Sequence, residues 1–91
     1  MVVMFCRNRV ADFAKWQAIF DSHAEARRAA GLHLRGVWRE LQSPNNVFFT
    51  FDVADLDKAR AFINDPAAAE AGKNSGVQDG EYHFLESSAG Y

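Results

Sequence analysis

The sequence predicts an α+β fold in the order β-α-β-β-α-β, on three observations. Two short runs, Val2-Val3-Met4-Phe5-Cys6 and Val47-Phe48-Phe49-Thr50-Phe51, have the apolar and aromatic character of strands. Two segments that begin at Asp12 and Asp55 repeat apolar residues at steps of three and four, the period of a helix. Turn-forming residues separate these segments: Gly31, Ser43-Pro44-Asn45-Asn46 and Asp65-Pro66.

Each element follows in turn. Val2 to Arg7 reads as the first strand. Asp12 is placed to cap a helix running to about Ala30, with Phe13, Trp16, Phe20, Ala24 and Arg27 on one stripe and Lys15, Ser22 and Glu25 well away from it. Gly31 stops that helix, because glycine takes a positive φ without strain. Leu32 to Leu41 reads as the second strand, with Gly36 as a bulge or a point of close approach. The Ser43–Asn46 turn closes a hairpin onto a third strand, Val47 to Val53. Asp55 caps a second helix carrying Leu56, Ala59, Phe62 and Ile63 on one face. Asp65-Pro66 ends it and opens a short alanine-rich helical turn, which Gly72 and Gly76 terminate. Glu81 to Glu86 is the last strand, and residues 87–91 form a tail. The element order is that of the ferredoxin-like split βαβ fold: a four-stranded antiparallel sheet, helices on one face, strands one and three central, in a single domain over residues 1–91.

The two central strands are apolar at successive positions. Successive side chains of a strand point to opposite faces, so both faces of the sheet are apolar near its centre. Two helices cover only one face, and a contiguous exposed apolar patch is rare on a lone soluble domain. A second copy packed sheet against sheet would bury the other face, so a homodimer is expected. The alternative is a C-terminal tail or short helix folded over it.

Composition narrows the function classes. Of 91 residues, 48% are hydrophobic and 24% charged, which argues against disorder. The net charge of −2, with both signs mixed along the chain, offers no broad field for nucleic acid or an anionic membrane. The third strand also lacks the basic-Gly-aromatic pattern of RNA-binding domains that share this strand order. No apolar run approaches membrane-spanning length, and the apolar N-terminus is too short for a signal core. A single cysteine, Cys6, excludes an internal disulfide and suits a reduced, cytoplasmic setting.

A family resemblance rests on Val10-x-Asp12-Phe13-x-x-Trp16-x-x-x-Phe20-x-x-His23, followed by Arg27 and Gly31. It continues through Pro44-Asn45-x-Val47, then Phe51-x-Val53-x-Asp55-Leu56-x-Lys58-Ala59-x-Ala61-Phe62, Gly76-Val77 and Phe84-Leu85-Glu86. In these residues the chain resembles the dimeric α/β-barrel superfamily, and within it the small antibiotic-biosynthesis-monooxygenase-like proteins, over nearly its whole length. The resemblance implies two sheets packed into a barrel across a dimer. It also implies a pocket in each subunit between sheet and helices, where a flat aromatic substrate reacts with oxygen without metal or flavin. The fold hosts several unrelated activities, so the resemblance marks architecture more strongly than chemistry.

Within that frame, His23 is the candidate catalytic base. It lies on the apolar side of the first helix, and a neutral imidazole beside an apolar pocket accepts a proton near neutral pH. The bland reading is a histidine bonded to a backbone carbonyl. Asn8 closes the first strand. Haem-degrading members of the superfamily have a strand-one asparagine but add a tryptophan and a histidine in the second helical region. Here Phe62, Ile63 and the Ala67–Gly72 stretch supply neither, so haem breakdown is not expected, and Asn8 reads more simply as a turn residue. Trp16 and Trp38 are candidates to stack on an aromatic ligand, and Arg27 and Arg39 to hold a carboxylate or phenolate. The competing roles are core filling for Trp16, a dimer contact for Trp38 and solvent-seeking or paired heads for the arginines. Tyr82 is a candidate hydroxyl donor that can equally well pack. Cys6, His23, His33 and His83 make no recognised metal spacing, and no phosphate-cradling glycine loop or Gly-x-Ser-x-Gly elbow is present. Neither metal nor cofactor is expected. The expected function is a small-molecule enzyme of the cofactor-independent monooxygenase or cyclase kind acting on an aromatic or polyketide-like substrate. The alternative is a non-catalytic ligand-binding or structural dimer.

Overall fold

In the computed structural model, which describes residues 1–90, the sheet is laid down by β1 (Val2–Val10), β2 (Leu32–Arg39), β3 (Asn46–Val53) and β4 (Val77–Glu86). The order across the sheet is β2-β3-β1-β4, and every neighbouring pair is antiparallel. β1 and β3 are therefore central and β2 is an edge. α1 (Phe13–Ser22) and α2 (Ala24–Ala29) connect β1 to β2; α3 (Leu56–Asn64) and α4 (Pro66–Asn74) connect β3 to β4. This is the ferredoxin-like α+β architecture that the element order predicts.

Alternation along the two central strands divides the molecule. Met4, Cys6 and Val10 of β1 and Val47, Phe49 and Phe51 of β3 are buried on one face, with Met4 opposite Phe51 and Cys6 opposite Phe49. Trp16 of α1 and Ala59 of α3 are buried against them, joined by Phe13, Phe20, Phe62 and Ile63. The aromatics interlock: Trp16 stacks on Phe20 with ring centroids 4.6 Å apart, and Phe49 meets Trp16 at 5.5 Å and Phe20 at 5.2 Å. Each such contact adds about 0.5–1.5 kcal/mol beyond area burial.

The opposite face carries Phe5 and Phe48, with ring centroids 6.1 Å apart, together with Trp38 and Leu85. Phe5, Trp38 and Leu85 remain exposed. The described part of the tail turns back on the start of β1, where Ser87 N donates to Met1 O at 2.9 Å, and leaves this face open. Trp38 lies over Gly36, where a Cβ would come within 2.7 Å of the indole. The β2–β3 register also shifts between Leu34 and Gly36, so this glycine marks both a bulge and a close approach.

Capping fixes the helix starts. The Asp12 carboxylate accepts from Lys15 N, that of Asp55 from Lys58 N, and that of Asp65 from Ala67 N. Pro66 occupies the first turn of α4, where its missing N–H costs nothing.

Several boundaries differ from the sequence expectation. The first helix does not run unbroken to Ala30; it breaks at His23. The Ile19 carbonyl, which the His23 N–H would use in a continuous helix, is instead taken by the Ser22 hydroxyl at 2.6 Å and His23 Nδ1 at 2.8 Å. The backbone N–H of His23 tightens onto Phe20 O at 3.2 Å. Gly72 lies inside α4, and the helix ends before Gly76, whose φ is +80°. β1 continues past Asn8 to Val10, and β4 begins at Val77 rather than Glu81. That added length is polar, and ion pairs of Arg7 and Arg9 with Asp79 hold it in place. Tyr91, the last residue of the expected tail, lies outside the described residues.

Gly31 and Gly72 make opposite predictions. Gly31 has φ +78°, and a Cβ there would sit 3.0 Å from Asp55 N. Gly31→Ala should cost at least about 1–2 kcal/mol by denaturant titration. Nothing lies within 4 Å of a Cβ at Gly72, inside a helix, so Gly72→Ala should gain roughly 0.5–1 kcal/mol.

Candidate functional site

The small side chains of α4 do not fill the space above the sheet. A cavity of about 350 Å³ remains, with Cys6 and Phe49 on its floor, Trp16, Phe20 and Phe62 in its walls, and Ala68, Ala71 and Gly72 above. It lies between sheet and helices. Its lining is mostly apolar, interrupted by a few polar groups, as expected of a small-ligand site. His23, Asn8, Trp16, Arg27 and Tyr82, all singled out from the sequence, line it. Trp38 and Arg39 do not. Trp38 is 54% exposed on the opposite face of the sheet. Arg39 lies against α1 with its guanidinium 4.0 Å over the Phe13 ring, and its Nε donates to Pro44 O at 2.9 Å, which ties the β2–β3 hairpin to the helix layer.

The helix break determines how His23 is held. A carbonyl oxygen only accepts, so the contact with Ile19 O places the hydrogen on Nδ1. The same N–H reaches Ser22 Oγ at 3.1 Å, while the Ser22 hydroxyl donates to Ile19 O. The neutral ring therefore keeps its lone pair on Nε2, the nitrogen left free to accept a proton.

Asn8 is not a turn residue; it lies within β1, opposite Gly80 of β4. With the amide oxygen turned toward the indole, the orientation that satisfies both ends, Asn8 accepts from Trp16 Nε1 at 3.3 Å and donates to Arg7 O at 3.0 Å. It thus satisfies the indole of a buried tryptophan and fixes the plane of that ring in the cavity wall. Gly80 makes room for it: a Cβ there would come within 2.6 Å of the Asn8 amide and 2.8 Å of Arg7 O.

Arg27 is 8% exposed, not a solvent-seeking head. Its guanidinium lies 3.7 Å above the Phe20 ring, and Nη1 donates to the Phe20 carbonyl. Burial pushes its pKa below the ordinary value, with the Asp21 charge pulling the other way, yet an arginine remains cationic at neutral pH. Cys6 is buried in the floor, and desolvation raises its thiol to about 12. Tyr82 packs edge-on against Phe84 with ring centroids 6.0 Å apart. Sequence reading missed α4 as the cavity's cover. Its alanines and Gly72 were the available signal, since only small residues there leave a void beneath. It also missed Ser75, whose buried hydroxyl donates to Gly72 O at 2.9 Å. Among the described residues, no cluster of three or more His, Cys, Asp or Glu is placed to hold a metal ion, and no helix is long and apolar enough to cross a membrane.

No family model matches the chain, and a search of curated proteins finds no match. Solved structures do match. The chain superposes on SnoaB, a cofactor-independent oxygenase from Streptomyces nogalater, with a TM-score of 0.74 at 17% identity, over 94% of this chain and 91% of that one. An uncharacterised NIPSNAP domain protein from Burkholderia xenovorans matches with a TM-score of 0.71 at 19% identity, over 100% and 98%. An antibiotic biosynthesis monooxygenase matches with a TM-score of 0.70 at 14% identity, over 97% and 99%. At such identities the likeness establishes a shared fold, the one that these antibiotic biosynthesis monooxygenase-like and NIPSNAP structures have.

Two outcomes follow from this geometry. Cys6 should resist a thiol-specific reagent at pH 8 in the folded protein and react once the chain is unfolded, because the native thiol is both buried and un-ionised. Gly80→Ala should displace the Asn8 amide, shift the fluorescence of Trp16 and destabilise the fold by about 1–3 kcal/mol.

Proposed function

We propose that this chain is a small-molecule enzyme of the cofactor-independent monooxygenase or cyclase kind, acting on an aromatic or polyketide-like substrate in the cavity between sheet and helices. The observation that carries this reading is His23: its imidazole lines an apolar, aromatic-walled cavity and is held through Nδ1 so that Nε2 is the free base. A flat substrate stacks against Trp16 and Phe20, and Nε2 removes a proton from an activated carbon or hydroxyl group. From the resulting carbanion, or the carbanionic resonance form of a conjugated phenolate or enolate, two reactions open. Dioxygen oxidises an activated CH2 to C=O, one oxygen atom entering the product and the other leaving as water. Alternatively, the carbanion attacks a carbonyl of the same molecule and closes a ring, with no need for oxygen. The likeness to a cofactor-independent oxygenase supports the first branch.

The working form is proposed to be a homodimer, in which a second copy covers the outer face bearing Phe5, Phe48, Trp38 and Leu85. Trp38 then serves the subunit contact rather than the ligand. The single buried thiol suits a reduced, cytoplasmic setting.

The test is turnover of polyketide-derived anthrones and related activated aromatics, followed with and without oxygen. His23→Ala should lower kcat by about a hundredfold or more while circular dichroism and the melting transition are retained. Full activity in a folded His23→Ala variant would remove the base assignment. Ligand binding without turnover in either atmosphere would make the protein a non-catalytic binder.

A further inference from the structure

We infer that the cavity takes a planar aromatic monoanion whose carboxylate is anchored by Arg27. This deepens the pocket reading above and rests on it. A guanidinium carries five N–H donors in a rigid fork that matches a carboxylate. In Arg27 the protein acceptor is the Phe20 carbonyl, reached from Nη1. No carboxylate lies within ion-pair distance of it among the described residues. The other acidic candidates are engaged elsewhere or lie farther off. Glu81 borders the same cavity, but its carboxylate is bound to Arg7 Nε at 2.9 Å and His83 Nε2 at 2.8 Å. Asp21 acts on Arg27 through space and makes no ion pair with it.

A cation more than nine-tenths buried and without a counter-charge is expensive, and folded proteins normally pair such a group. Stacking on Phe20 at 3.7 Å and Phe51 at 5.9 Å orients the guanidinium but supplies no negative charge. Its remaining nitrogens are not sealed off, and the residue lines the cavity. An anionic ligand oxygen would complete the site. The rest of the wall sets the body of that ligand: Trp16, Phe20 and Phe49 are flat apolar surfaces, and about 350 Å³ is near the lower end of ligand pockets, which suits a bicyclic or tricyclic ring system. Arg27 is one helical turn beyond His23 and follows it on the same side, with Arg27 N bonded to His23 O at 3.0 Å. Anchor and base thus address one ligand from neighbouring points.

The probes are 2-naphthoate and its uncharged isostere 2-naphthamide, titrated calorimetrically into the intact protein. The acid should bind roughly tenfold or more tightly than the amide. Arg27→Gln should abolish that preference, and Arg27→Lys should retain only part of it because the fork is lost. Equal binding of acid and amide to the native protein overturns the anionic anchor while the pocket stands. A preference that persists in folded Arg27→Gln overturns it as well. Failure of both probes to bind removes the pocket reading and the anchor together. The native-protein comparison decides the question even if Arg27→Gln does not fold.

Discussion

Everything in this molecule depends on the two-residue period of β1 and β3 and on the fact that both phases of that period are apolar. One phase, Met4 and Cys6 against Phe51 and Phe49, gives the helices a surface to bury. At about 1.5–3 kcal/mol for each large apolar side chain buried, this face supplies the main driving force for folding. The other phase, Phe5 and Phe48, has no helix to meet. A one-residue slip of either strand would exchange the two sets, so the inner layer also fixes the register of the outer one.

The candidate site arises where regular structure gives way. Continuous hydrogen bonding through α1 and α2 would have claimed the Ile19 carbonyl for the backbone; Ser22 and His23 take it with their side chains, and the break sets the ring tautomer. A helix of larger residues than α4 would have filled the space above Cys6 and Phe49, whereas alanines and Gly72 leave a cavity. The missing Cβ at Gly80 admits the Asn8 amide, which in turn secures Trp16. Together they place an imidazole, a guanidinium and flat aromatic walls around one volume.

Much of the fold was legible in the sequence because its signals are local. Aspartate caps, the helical stripe of Phe13, Trp16 and Phe20, the positive-φ stop at Gly31 and the doubly apolar central strands each express a short-range rule. The failures occur where a distant partner decides. The start of β4 is polar and lacks strand propensity, yet pairs with β1 because Asp79 meets Arg7 and Arg9. The break at His23 depends on side chains outcompeting a backbone donor, which helical periodicity does not report. Asn8, Trp16, His23, Arg27 and Tyr82 share the cavity because strand phase and helix stripe both point them inward. The phase of Trp38 was hidden by the irregularity before Gly36 in β2, which decides the face on which the indole emerges.

A sheet apolar on both faces calls for a second copy of the chain across its outer face. Sedimentation equilibrium of the native chain across micromolar concentrations tests it most directly. A two-faced sheet predicts a species of twice the chain mass that persists on dilution into the low micromolar range. A single-chain mass throughout would contradict it, and would mean that the face bearing Phe5, Phe48, Trp38 and Leu85 is tolerated in water.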